Sequence, residues 1–394
     1  IIYKTMKRKL RFHILGIPHT STSKEYVGCA FTQKVFKFAK MMTEKGHTVI
    51  HYGHEDSDLQ CSEHVTVITN KDWKKSYGDH DGKTKLFGAS DSDNYVYDTF
   101  HKNAIEEIGK RKQKNDFLLP FFGPSLRPVC DAHTDLIIVE PGIGYSQGHW
   151  APYKIFESYA IYHEWCGLPS STNCKQNNYE VVIPNYYDLD DFDATQEKED
   201  YFLFLGRVYN GKGILIAMQV CERLGLKLKV AGQVSPEYEN YNWPDHVDFV
   251  GYVNVEQRKE LMAKAKGTFV ASQYVEPFGG VQVESLLSGT PTITSDWGAF
   301  TENNVNGVTG YRCRTFDDYL KAAIKINEGA ISSKTCREHG EKFSLANITP
   351  LYEKYFNDVL NIFECEGWYE TDIPKVLETV EADELDASSW VGPV

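Results

Sequence analysis

Apolar residues fall along this chain in two repeating series, each a short continuous run followed by a stretch of helical spacing. In the first series Leu10–Gly16 predicts a strand, after which Phe31, Val35, Phe38 and Met42 recur on one helical face. Gly46-His47 closes that helix and Thr48–Gly53 predicts the next strand, which makes a parallel βαβ unit. Residues 54–100 read as polar and irregular apart from a short strand at Val65–Thr69, with Asp79–Asp98 a long loop. Phe100–Lys112 then predicts a helix, Asp116–Leu119 and Leu136–Val139 strands, Ala151–His163 a helix and Tyr179–Pro184 a strand. A second series begins at Tyr201–Gly206 (strand) and Gly213–Leu224 (helix), and continues with strands at Lys227–Ala231 and Val247–Val250 and a helix at Val255–Ala265. Phe316–Asn327, Lys334–Phe343 and Pro350–Phe363 predict the closing helices.

Between the two series, Asn185–Asp200 is acidic and has little to bury, as a linker would. The predicted organisation is α/β with two doubly wound, Rossmann-like domains, residues 6–185 and 186–345. A helix (346–365) and an acidic tail (366–394) follow. Ligands in such sheets bind outside the carboxyl ends of the strands, so two facing sheets predict a site in the cleft between them.

The stretch of most chemical interest is 272–297. A buried strand at Gly267–Ala271 runs into a loop, and Pro277, Gly279 and Gly280 form a turn that opens a short helix ending at Gly289. Free amides at Phe278, Gly279, Gly280 and Val281 would point out of the helix start and favour an anion, while glycine lets a phosphate approach the main chain. Glu276 and Glu284 flank that position. Carboxylates suit sugar and ribose hydroxyls because each accepts charge-assisted hydrogen bonds. A second element, Gly206-Arg-Val-Tyr-Asn-Gly-Lys-Gly213, lies between a predicted strand and helix. It satisfies Gly-x-x-x-x-Gly-Lys, but Gly213 stands where a nucleotide-triphosphate loop needs a metal-binding Ser or Thr. Arg207 and Lys212 instead read as two cations aimed at a diphosphate, where they would stabilise charge developing on a leaving group.

Glu276, seven residues, Glu284, with the double glycine and the Leu-Leu-Ser-Gly-Thr-Pro exit, resembles the signature of retaining glycosyltransferases of the GT-B fold, family 4 (group 1) in particular. The resemblance covers residues 181–363 well and the first half by layout. It implies that Glu276 holds donor sugar hydroxyls, that Glu284 holds the ribose, and that Arg207, Lys212 and the amides of Phe278–Gly280 take the diphosphate. It places Tyr252 and Val253 beside the nucleotide base and Gly28 near the donor phosphates, and it implies that the last long helix crosses back to the first domain. Glu140-Pro-Gly-Ile-Gly-Tyr145 would help shape the acceptor pocket; His149 and His163 follow it, and each reads first as a satisfied, non-catalytic histidine.

Composition narrows this further. A formal charge of −13 argues against a surface that coats nucleic acid, though not against a local phosphate pocket. Nine scattered cysteines without a Cys-x-x-Cys pair suit reduced, cytoplasmic usage, and His51-Tyr-Gly-His-Glu-Asp56 lacks the further ligands of a metal site. No apolar run approaches the ~18 residues that span a bilayer. No secretion leader is read, since the basic flank at Met6–Arg11 meets a run broken by His13, Gly16 and Pro18. Peripheral membrane contact through that basic cluster stays open. The expectation is a metal-independent transfer of a sugar from a nucleotide-diphosphate donor to an acceptor hydroxyl, without cofactor. A sugar-nucleotide 2-epimerase of the same fold, or a non-catalytic sugar-nucleotide binder, are the rivals.

Overall fold

The computed structural model describes residues 8–85, 87, 94–145, 149–167, 180–195 and 197–364. The expected tail (366–394) lies outside them, as do parts of the 79–98 loop. The first half contains β1 (Arg11–Leu15), α1 (Ala30–Glu44), β2 (Thr48–His54), β3 (Glu63–Ile68), α2 (Asn70–Tyr77), α3 (Tyr95–Arg111), β4 (Phe117–Pro120), α4 (Arg127–Asp131), β5 (Ile137–Ile143), β6 (Tyr153–Phe156), α5 (Tyr159–Cys166) and β7 (Glu180–Val182). The second half contains β8 (Phe202–Leu205), α6 (Ile214–Leu224), β9 (Leu228–Ala231), β10 (Val247–Gly251), α7 (Val255–Lys264), β11 (Gly267–Val270), α8 (Gly280–Leu287), β12 (Thr292–Ser295), α9 (Phe300–Asn303), β13 (Gly310–Cys313), α10 (Phe316–Asn327), α11 (Ser333–Gly340) and α12 (Leu345–Glu364).

The strands form two all-parallel sheets, ordered β3-β2-β1-β4-β5-β6-β7 and β10-β9-β8-β11-β12-β13. In each sheet the winding reverses between two neighbours, β1/β4 in the first lobe and β8/β11 in the second. A crevice opens at such a point because the chain leaves the two strands in opposite directions. The loops after β8 and β11 therefore emerge side by side, and they carry Arg207, Lys212 and Glu276. The helix α12 buries Ile348, Tyr352, Tyr355, Phe356, Val359 and Leu360 in the first lobe's core, where Phe356 lies 4.8 Å from Phe12 between ring centroids. A 20-residue amphipathic helix from the end of the chain thus fastens the second lobe to the first.

Four expectations need correction. Ala151–His163 is not one helix: Lys154, Ile155 and Phe156 are buried in β6, between β5 and β7, and a new helix starts only after Ser158, whose hydroxyl accepts from the Ile161 amide. A short apolar run buried on both faces has no period that separates strand from helix. Within the supposedly irregular 54–100, α2 forms on a Thr69/Asp72 capping box although it buries no residue, so it has no apolar stripe to show in the sequence. The helix expected from Phe100 starts five residues earlier, at Tyr95, where the Asn94 side chain accepts from the Val96 amide. The last helix likewise begins at Leu345 and runs through Pro350, held by the burial of Ile348 and Thr349 just before the proline.

Lys198 marks the entry into the second lobe. Its ammonium donates to the Ala263 carbonyl (2.6 Å) and the Thr290 hydroxyl (2.9 Å), and burial pushes its pKa down to about 8. Below that pH the group is protonated in both folded and unfolded chains, and the full burial penalty applies. Between pH 8 and the ordinary value of 10.5 the folded state releases its proton first, so this group's contribution to stability rises with pH. Stability of the natural chain relative to Lys198→Met is expected to climb from pH 8 to 10, measured as paired urea midpoints; a flat difference would show the ammonium to be solvated.

Candidate active site

The loop after β8 is shaped by glycine. Asn210–Lys212 make one turn of 3-10 helix, and Gly213 follows in the left-handed region (φ 81°) as the residue before α6. A Cβ at Gly213 would stand 2.2 Å from the Ala271 carbonyl oxygen, so no larger residue fits between the β8 and β11 loops. The Gln273 amide donates to the Gly211 carbonyl at 2.8 Å and ties the loops together. This places the Lys212 ammonium 3.1 and 2.9 Å from the two carboxylate oxygens of Glu276 and 5.0 Å above the Tyr274 ring. Arg207, at the exit of β8, is exposed and lines the same cleft.

Glu276 is only 8% exposed, yet it lines the cleft. Ser272 donates to its second oxygen at 2.6 Å, and its backbone carbonyl accepts from Ala299 at 2.9 Å. Gly298 packs so closely that a Cβ there would approach the Glu276 nitrogen to 2.7 Å. The carboxylate is thus held from three sides, by a cation, a hydroxyl and its own backbone. Burial, reinforced by Glu276, pushes the Tyr274 phenol well above its ordinary pKa and keeps it a neutral donor.

Gly279 (φ 79°) precedes α8, with a Phe300 ring carbon 2.5 Å from where a Cβ would sit. The Asn303 side chain fixes the turn by donating to the Phe278 carbonyl at 2.7 Å. Among the described residues nothing accepts from the amides of Gly280 and Val281, which open the helix on the cleft wall. One turn further in, Glu284 is paired with Arg258 of α7. Tyr252 and Val253, following the turn at Gly251 (φ 80°), complete this wall.

Facing them, Gly28 lies at the entry to α1, where a Cβ would come within 3.5 Å of the Gln233 amide group. The lobes touch directly. Gln233 donates to the Lys83 carbonyl at 3.0 Å, the Ser158 hydroxyl donates to the Pro277 carbonyl, and the Glu302 carboxylate accepts from the amides of Tyr159 (2.9 Å) and Ala160 (2.8 Å). Burial pushes the Glu302 carboxyl up, while those two amides pull it down.

Every residue that the sequence singles out for the donor lines this one cleft of about 600 Å³. Arg258 and Tyr274, and on the first lobe Lys34 and Glu157, line it as well and were missed. Arg258 sits on a polar helix whose cleft-facing side no local pattern marks. His163 does not line the cleft, and His149 packs against Tyr145, Phe156 and Trp165. Among the described residues no group of three or more His, Cys, Asp or Glu is placed to hold a metal ion. No helix among them is long and apolar enough to cross a membrane.

Residues 188–343 match the family described as Glycosyl transferases group 1. Over 133 residues the chain is 34% identical to an uncharacterized glycosyltransferase of Methanocaldococcus jannaschii, a match covering 30% of this chain and 33% of that protein. Over 149 residues it is 30% identical to a glycogen synthase of Mycobacterium tuberculosis, covering 34% and 36% respectively. The chain thus spans about a third of the length of these curated relatives. Among solved structures, a sucrose-phosphate synthase from Thermosynechococcus elongatus superposes with a TM-score of 0.66 at 15% identity, over 90% of this chain and 100% of that one. Anabaena HepE in complex with UDP and glucose superposes with a TM-score of 0.63 at 15% identity, over 88% and 99%. Residues 188–343 are thus similar to group 1 glycosyltransferases, in a chain with the GT-B fold.

Proposed function

We propose that this protein is a retaining glycosyltransferase that moves a sugar from a nucleotide-diphosphate donor to an acceptor hydroxyl by metal-independent, same-face displacement. The observation that carries the reading is the convergence of Lys212, Glu276 and the open amides of α8 on one wall of the cleft. As the bond from the anomeric carbon to the phosphate breaks, charge builds on the diphosphate. Cations and amides already in position stabilise it without reorganising, which is how such groups lower a barrier. Glu276 accepts hydrogen bonds from the sugar. Glu284, oriented by Arg258, accepts from the ribose. With Glu276 and Glu284 on the donor wall, the pattern differs from the flanking carboxylates of glycosidases, and the departing phosphate oxygen takes the acceptor's proton. HepE, which shares the fold, has been seen in complex with UDP-glucose, and that supports a nucleotide sugar as donor.

A thermal-shift panel of UDP, GDP and ADP with their sugars tests the donor. A nucleotide at 100 times its Kd adds about 2.7 kcal/mol of stability. Glu276→Gln is expected to keep the shift given by the bare nucleotide and to lose the increment added by the sugar. NMR of the product should show the donor's anomeric configuration, and turnover should survive EDTA. If no nucleotide shifts the transition, the donor site is lost; an inverted product would overturn the same-face mechanism.

A further inference from the structure

Across the cleft from Glu276, the first lobe presents a compact polar group with no part in donor binding. Glu157 is 5% exposed and takes two hydrogen bonds on the same oxygen, Oε2, one from the Lys34 ammonium and one from the Asn185 amide at 2.7 Å. Its other oxygen, Oε1, lies over Gly144, where a Cβ would stand only 2.0 Å away. The side-chain oxygen of Asn185 is buried and, among the described residues, accepts no hydrogen bond. Lys34 is committed to Glu157 and to the Gly142 carbonyl (2.7 Å). Glu157, Asn185 and Gly144 all line the cleft, and the Phe31 ring lies 4.8 Å from the Lys34 ammonium. The next residue, Ser158, donates to the Pro277 carbonyl, directly after Glu276 in the chain. Among the described residues this wall therefore holds two hydrogen-bond acceptors without a donor, Glu157 Oε1 and beneath the surface the Asn185 oxygen, close to an aromatic ring and with the carboxylate's charge already neutralised, and it is pinned against the donor loop.

We propose that Glu157 and Asn185 receive the acceptor, and that the acceptor is a neutral sugar. This rests on the glycosyl-transfer reading above and names the other half of that site. Two acceptors whose nearest cation, Lys34, is already committed select hydroxyl groups over phosphate or carboxylate, and an adjacent ring suits the apolar face of a pyranose. A neighbouring hydroxyl of the acceptor sugar donates to Glu157, which leaves the reacting hydroxyl free to face the anomeric carbon and the departing phosphate oxygen. The oxygen of the reacting hydroxyl then forms the new glycosidic bond while the bond from that carbon to the phosphate oxygen breaks. The electron pair leaves with the nucleoside diphosphate, and the hydroxyl proton passes to the departing phosphate oxygen. Glu157 orients the sugar and takes no proton.

The experiment uses the full chain and whichever of UDP-glucose, GDP-mannose or ADP-glucose it consumes fastest. Transfer to p-nitrophenyl glucoside and to p-nitrophenyl glucuronide is measured alongside hydrolysis of the donor by water. The glucoside is expected to be preferred about tenfold in kcat/KM, the cost of setting a charge against an unmatched acceptor. Asn185→Leu removes the partnerless oxygen together with the amide that donates to Glu157, whose Oε2 keeps the Lys34 ammonium, so folding is expected to hold while the KM for glucoside rises about fivefold. The double variant Lys34→Met, Glu157→Gln removes both charges together and leaves neither buried alone. Its transfer is expected to fall about tenfold or more while the thermal shift with bare nucleotide is unchanged. If the double variant fails to fold, Asn185→Leu decides. Equal or better use of the glucuronide, wild-type acceptor kinetics in the folded variants, or donor hydrolysis without transfer to either glycoside would each overturn the proposal. A chain that neither hydrolyses nor transfers from any of the three donors sinks the glycosyl-transfer reading itself.

Discussion

Lys212→Met is expected to lower kcat by about 10²- to 10³-fold, the loss typical when one preplaced donor is removed from a developing negative charge. Methionine keeps the length and apolar stem of lysine and deletes only the ammonium. In the folded protein that ammonium contacts both oxygens of Glu276 and leaves its side chain 27% exposed. Glu276 itself is only 8% exposed, so removing the cation leaves a mostly buried carboxylate with the Ser272 hydroxyl as its side-chain partner, and the melting temperature should fall as well. Kinetics are therefore read on protein shown to be folded. A large fall in kcat there assigns the charge to the departing diphosphate, with kcat and kcat/KM falling together because the interaction strengthens only as the bond breaks. Arg207→Met is expected to cost less, since Arg207 is exposed and its field is screened. An unchanged kcat in Lys212→Met would reduce the lysine to a clamp on Glu276.

Gly213→Ala is expected to destabilise the fold by about 2–5 kcal/mol. About 1–2 kcal/mol comes from forcing an L side chain into the left-handed region, and about 1–3 kcal/mol from overpacking. The second contribution arises because the new methyl meets the Ala271 carbonyl oxygen, a backbone atom that cannot rotate away. Gly225, which ends α6 at φ 63°, has nothing within 4 Å of a Cβ position and serves as the control. Gly225→Ala should show the conformational cost alone. Urea unfolding of both variants gives the difference directly, and a Gly213→Ala loss no greater than that of Gly225→Ala would mean the two loops can part. Where the variant remains folded, activity should fall as well, because the methyl pushes apart the segments that carry Lys212 and Glu276.

How much of this was legible in the sequence depends on where each signal lies. The alternation of apolar runs and helical stripes foretold both parallel sheets, since most strands in them are buried on both faces. The cleft wall that carries Lys212 and Glu276 was legible because its residues are local in sequence. Gly279 and Gly280 before Val281 mark a helix start, and Gly206 to Gly213 mark a loop that glycine alone permits. Residues contributed singly from distant elements leave no such trace. Glu157 follows a four-residue strand that looked helical, and Asn185 sits in what reads as a linker. Arg258 lies on a helix with little apolar periodicity, and its pairing with Glu284 joins positions 26 residues apart. The contacts between lobes, such as Gln233 to Lys83 across 150 residues, depend on tertiary packing alone.

One of those contacts bears on how the halves move. The first two amides of α5 are satisfied by a carboxylate that belongs to the opposite lobe, Glu302. Ser158, just ahead of the helix, caps the third amide, so α5 shares the satisfaction of its first turn between its own lobe and the other. Parting the lobes would leave the Tyr159 and Ala160 amides to water, and the start of α5, two residues after Glu157, would then be less firmly held.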